Sequence, residues 1–150
     1  MLTESARTST AAEARFRIQA ANSKSRAIAV VALDGPSESV VRRLAKVSWS
    51  RAAFFTASSS AGTRDVMNEI DTADLIVMVA TPGAEMPAAS MIGEACRLKR
   101  VMTTTLIVGA AAASDEALSK TLAEVRPWSG MVVIAHADEY VDDLLTALRA

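Results

Sequence analysis

With one cysteine, Cys96, the chain cannot close an internal disulfide, and with one histidine, His136, it cannot assemble a histidine-rich metal centre. A lone thiol fits a reducing compartment, so a cytoplasmic location is expected. Aromatic side chains are only 4% of the residues, which leaves core packing to Ala, Val, Leu, Ile and Met. Neither charge sign dominates: 16 basic residues stand against 17 acidic ones, for a net charge of -1. That balance offers no electrostatic footprint for nucleic acid, whose phosphates need a basic surplus on one face. No apolar run approaches the roughly 18 residues that suggest a membrane span, and the N-terminus carries no hydrophobic signal core. Neither nucleic acid nor membrane is expected as a partner. Internal repeats and low-complexity tracts are also missing.

What is present is an apolar chain of 150 residues, 51% hydrophobic, long enough to bury one core without metal or disulfide help. Residues 1–25, rich in Ser, Thr, Ala and Arg, read as an N-terminal extension or helix. Ala11–Ala21 is the helical part, with Phe16 and Ile18 as its sizeable apolar groups. Glu4 and Glu13 argue against an organelle transit peptide, which is poor in acids. Residues 26–150 read as a single α/β domain.

Its centre is the stretch Asp74–Gly109. Asp74–Ala80 is too apolar for a half-wet strand and suits a parallel sheet covered on both faces. Thr81-Pro82-Gly83 breaks the strand, and Pro87 fits a first helical turn, where its missing N–H costs nothing. Ala88, Met91, Ile92, Ala95 and Leu98 recur at helical spacing, and Val101–Val108 is a second buried strand. Upstream, Ala27–Leu33 is the first strand, followed by a helix to about Val47 whose inner face is Val40, Val41, Leu44 and Val47. Ala52–Ala57 is the next strand, Ser58–Arg64 a polar loop, and Asp65–Ile70 a short helix. Ala110–Ala113 fits a loop or a strand end equally well. Downstream, Ser114 caps a helix with Leu118, Leu122 and Val125 inward, ended by Pro127. Met131–Ala135 is the last strand, and a helix from Asp138 turns Val141, Leu144, Leu145 and Leu148 inward.

Five strands alternating with five helices predict a three-layer, doubly wound α/β domain with a mostly parallel five-stranded sheet, Rossmann- or flavodoxin-like. The first strand is expected beside Asp74–Ala80. Ligands of such folds bind at strand ends where the strand order reverses, here between Asp34–Ser37 and Thr81–Met86. The Ser58–Arg64 loop and the His136–Glu139 turn are expected at the rim.

The order of segments resembles the FtsZ/tubulin family of GTP-binding proteins. Ile28–Leu44, IAVVALDGPSESVVRRL, is similar to that family's opening strand, glycine turn and helix. Thr72–Gly109 is similar to its next block, where a strand ends in a glycine- and threonine-rich phosphate loop. Ala123–Leu145 looks like the segment before the long central helix, so the likeness spans about Ser25–Leu145. It implies a shared scaffold with the phosphate loops not kept. Asp34-Gly35-Pro36-Ser37 holds one glycine where the family has several, and Pro82 and Pro87 remove two N–H donors from the second loop. Glu85 adds negative charge at a helix start. Two like unit charges about 4 Å apart repel by about 4 kcal/mol at an effective dielectric near 20. The family's activation domain has no room in this chain, so polymer-coupled GTP hydrolysis is not expected.

Candidate binding residues are Asp34, Gly35, Ser37, Ser59, Ser60, Gly62, Arg64, Thr81, Gly83 and His136. Ser58–Arg64 combines hydroxyls, a flexible glycine and a guanidinium before a helix start, chemistry that suits a nucleotide or a phosphorylated ligand. Asp34, Thr81 and His136 would meet across the crevice as acid, hydroxyl and base, yet no G-x-S-x-G elbow presents an activated serine. Asp34 alone reads as a turn and helix-cap residue. Asp138, Glu139, Asp142 and Asp143 favour a helix N-terminus rather than a metal. Cys96 reads as a small core group, and Met67, Met78, Met86, Met91, Met102 and Met131 as a methionine-filled core. Trp49 and Trp128 each follow a helix and suit either covering its end or a subunit contact. The leading expectation is a binding or assembly module on a nucleotide-domain scaffold, homo-oligomeric and without efficient catalysis. The alternative is a small enzyme that binds a nucleotide or phosphorylated metabolite at the C-terminal edge of the sheet. No cofactor is specified.

Overall fold

The computed structural model describes residues 26–135 and 138–148. In chain order the elements are β1 (Ile28–Ala32), α1 (Glu38–Ala45), β2 (Ala52–Thr56), α2 (Ser60–Glu69), β3 (Leu75–Ala80), α3 (Ala88–Lys99), β4 (Met102–Ile107), α4 (Asp115–Val125), β5 (Met131–Ile134) and α5 (Asp138–Ala147). Short 3-10 turns stand at Ala110–Ala112 and Arg126–Trp128. The expectations for residues 1–25, and for His136, lie outside the described residues.

The strands form one sheet in the order β2-β1-β3-β4-β5, every neighbouring pair parallel. This is the flavodoxin-like order, with β1 beside β3 as expected. Every residue of β1 and β3 is buried, because neighbouring strands and both helical layers cover them. The edge strand β2 is only half-buried, and β5 begins exposed. The ladder continues one residue past four strand ends, through Leu33, Ala57, Val108 and Ala135, whose amides donate to the neighbouring strand at 2.8–2.9 Å.

The two sheet faces carry separate cores. On one side α1 and α5 bury Val41, Leu44, Val141 and Leu145 against Val30, Val77 and Leu106. On the other, α2 with the following Ile70, α3 and α4 bury Val66, Ile70, Ile92, Cys96 and Val125 against Val31, Ile76 and Ile107. The first layer is clamped by an ion pair between Arg43 and Asp142 at 3.0 Å. In β4 three successive threonines are buried. Thr103 Oγ1 donates to the Trp128 carbonyl at 2.9 Å, and Thr105 shares a 2.5 Å hydrogen bond with Ser129. These hydroxyls tie the α4–β5 connection to the sheet.

Three expectations are corrected. α1 stops at Ala45, so Val47 lies beyond it and is exposed. Trp49 covers the end of α1 instead, its indole N–H donating to the Leu44 carbonyl at 2.8 Å. In α3 the buried residues are Ala88, Ala89, Ile92, Gly93 and Cys96, while Met91 and Leu98 face out. The face is rotated because Trp128 lies on Gly93, where an added Cβ would come within 2.4 Å of the Trp128 Cβ. Arg97 stacks 5.1 Å above the Trp128 ring and donates to the Pro127 carbonyl, closing the same contact from outside. Last, α2 starts at Ser60 rather than near Asp65, so most of the expected polar loop is helix. Ser59 caps it, its side-chain oxygen accepting from the Gly62 amide at 3.2 Å.

Gly62 is required by packing. A Cβ there would stand 1.7 Å from the Thr56 carbonyl oxygen, so the first turn of α2 rests directly on the end of β2. In an isolated helix, replacing Gly by Ala stabilises by roughly 1 kcal/mol. Here Gly62→Ala is expected to destabilise the fold by about 1–3 kcal/mol, the usual cost of overpacking. Urea unfolding of the variant checks this by a lowered midpoint at unchanged slope.

Cys96 is buried among the α3 core residues, and that burial pushes its thiol from 9.0 up to about 11. The native state therefore keeps a proton that the unfolded chain gives up. The contribution is intact below pH 9 and is lost as pH rises from 9 towards 11. Between pH 7 and pH 10 the wild-type chain is expected to lose more unfolding free energy than Cys96→Ala, read from paired denaturant titrations.

Candidate functional site

The strand order reverses between β1 and β3, so the turns after those two strands meet at the switch point. Asp34 leaves β1 there and is 2% exposed. One of its carboxylate oxygens accepts from the Ser37 amide and the other from the Thr81 amide, both at 2.8 Å. Ser37, fully buried, returns a hydroxyl hydrogen bond to the Asp34 carbonyl at 3.1 Å. A buried carboxylate is tolerated where hydrogen-bond donors replace its water. Here they are backbone amides from both turns.

The Ser37 amide stands at the start of α1, where a helix can receive a phosphate, and the Thr81 amide stands at the end of β3. Asp34 supplies the anion from within the chain. Of the expected crevice residues, Asp34, Ser37 and Thr81 are therefore brought together, but as a closed structural bridge. Gly35 is exposed at the tip of the turn. The Thr81 hydroxyl is enclosed and makes no hydrogen bond to the described residues. Gly83 takes a positive φ of 81° and donates its amide to the buried Thr121 hydroxyl at 2.9 Å. This aims the turn after β3 at α4 and away from the crevice. Met86 is buried beneath it, and Glu85 is exposed beside a hollow shared with Lys120 and Glu124.

The other expected residues lie one step sideways. A hollow of about 440 Å³ opens between the first turns of α2 and α3, at the C-terminal edge of the sheet. It is lined by Ser58, Ser59, Ser60, Thr63 and Arg64 on one side and by Pro87, Ala88 and Met91 on the other, with Ala57 and Met67 completing the wall. That volume falls within the range of about 300–1,000 Å³ usual for small-ligand pockets. Gly62 does not reach this hollow. It faces a second one with Phe54, Phe55 and Asp65 on the side of β2, and its role is the close backbone contact, not flexibility.

Most hydroxyls in the hollow are already engaged. Ser59 caps α2, and Thr63 Oγ1 donates to the Ser59 carbonyl at 2.9 Å. Ser58 is hydrogen-bonded to Glu38, whose carboxylate also pairs with Arg42 at 2.8 Å. Arg64 is exposed at the rim. No carboxylate, thiol or imidazole of the described residues lines the hollow. Among the described residues no cluster of His, Cys, Asp or Glu is placed to hold a metal ion.

The sequence reading missed Met67, Pro87, Ala88 and Met91 as lining. It assigned the methionines to the core, where Met78 and Met86 do lie. Met91, Met102 and Met131 are exposed instead. The available signal was Met91 itself, an apolar residue in a helix already supplied with enough small core groups.

Asp34→Ala would leave two amides of the crevice without their acceptor, at a cost of about 3 kcal/mol given the usual worth of hydrogen bonds to charged groups. Asp34→Asn keeps one acceptor and is expected to lose roughly half as much. Chemical denaturation of both variants measures the difference. Set against known proteins, the chain matches no family model and no curated sequence.

Proposed function

We propose that this chain is a binding module without efficient catalysis, which takes a small ligand in the hollow between α2 and α3. The observation that carries the reading is the Asp34 bridge, which engages the Ser37 and Thr81 amides at the switch point, beside a hollow that gathers hydroxyls and a guanidinium at the same edge of the sheet. Hydroxyls and one guanidinium can hold a ligand, but abstraction of a proton needs a base within reach. The described lining offers none. The FtsZ/tubulin likeness enters as a shared scaffold whose triphosphate site is filled from within. Self-association is the second part of the proposal. It is supported by two sheet edges, β2 and β5, that have no neighbouring strand among the described residues.

GTP, ATP and nicotinamide dinucleotides are expected to leave the melting temperature unchanged. A ligand present at 100 times its Kd would add about 2.7 kcal/mol. A fragment screen read through 13C-labelled methionine methyls is expected to return binders that move the Met67 and Met91 signals. Stabilisation by GTP, with neither methyl moved by any fragment, would overturn the reading. Light scattering checks the assembly part, for which a strict monomer at every concentration is the contrary result.

A further inference from the structure

We infer that the hollow between α2 and α3 selects an amphipathic anion, its apolar body lying along Met67, Pro87 and Met91 and its charged end on Arg64. The inference rests on the binding reading above and adds the ligand class.

The lining divides by chemistry. Ala57, Met67, Pro87, Ala88 and Met91 make an apolar wall, and methionine side chains adapt to slender, irregular guests. Met91 is 54% exposed. A large apolar side chain left open at the mouth of a concavity gains by being covered. Opposite it the hydroxyls of Ser58, Ser59 and Thr63 are tied to Glu38 or to the α2 backbone. Few polar groups remain to read the edge of a base or the hydroxyls of a sugar. That disfavours a nucleoside and favours a hydrocarbon body.

The charge is likewise one-sided. Arg64 is the only ionic group in the described lining, and it forms no ion pair with a described side chain. Its sequence neighbour Asp65 opens onto the other hollow, beside Phe54 and Phe55. Glu38, the nearest acid by hydrogen bonding, has its charge balanced by Arg42. An arriving anion therefore meets a guanidinium in the lining, with the Glu38 carboxylate set behind Ser58 and paired with Arg42. Guanidinium receives carboxylate and phosphate alike in a bidentate fork, so the headgroup source is left to experiment.

The test uses the full chain with 13C-methyl methionine and five probes below their micellar concentrations: decanoate, decyl phosphate, decanol, inorganic phosphate and AMP. Decanoate and decyl phosphate are expected to shift the Met67 and Met91 methyls and to bind at least tenfold more tightly than decanol. The tighter of the two identifies the headgroup. Inorganic phosphate and AMP are expected to leave both methyls in place. Arg64→Gln, at an exposed position, is expected to weaken the two anions about tenfold and to leave decanol unchanged, while Arg64→Lys recovers part of the loss. Equal binding of decanol and decanoate, an unaffected Arg64→Gln variant, or preference for AMP overturns the ligand class while the binding reading stands. If no probe and no library fragment moves either methyl, both fall together.

Discussion

The Asp34 carboxylate, held by one amide from each of two turns, is the contact on which the C-terminal edge of the sheet depends. Parallel strands end with their connections rising on the same side, and at the switch point those connections diverge towards opposite faces. Folds of this architecture place their ligands at this edge, with phosphate on the amides of a helix start. Here a side chain 47 residues from its second partner joins the two turns. The same bridge explains why proline and glutamate are tolerated in the turn after β3. That turn uses its amides within the chain, Thr81 on Asp34 and Gly83 on Thr121.

The sheet was readable from sequence because buried parallel strands are written as unbroken apolar runs, and β3 shows this from Leu75 to Ala80. Even the extra residue assigned to several strands has a counterpart in ladder hydrogen bonds just past their ends. Helix phase was harder. In α3 there are more apolar residues than core positions, and hydrophobicity alone gave Met91 and Leu98 the places held by Gly93 and Cys96. Only the arrival of Trp128, 35 residues downstream of Gly93, makes the smaller residues the better fit. The start of α2 was hidden for a related reason. Ser, Ala, Gly and Thr form an indifferent helical turn, fixed here by the Ser59 cap and the seat on Thr56.

The candidate site was legible in part. Asp34, Ser37 and Thr81 could be placed at one crevice from fold class alone, and Ser58–Arg64 could be recognised by its chemistry. That the first group closes on itself while the second opens a hollow depends on distances between elements far apart in sequence. Pro87 and Met91 take their place in the lining only once α3 is set beside α2.

The placement of the methionines gives the molecule an uneven susceptibility to oxidants. Met78 and Met86 are sealed in the interior, whereas Met91, Met102 and Met131 meet solvent. Peroxide converts an accessible thioether to a sulfoxide, trading an adaptable hydrocarbon-like surface for a polar, chiral one. At Met91 that exchange would roughen the wall of the hollow while leaving the interior, and so the fold, undamaged. Of the exposed thioethers at Met91, Met102 and Met131, the one at Met91 borders the hollow, so chemical ageing there would change that surface without entering the core.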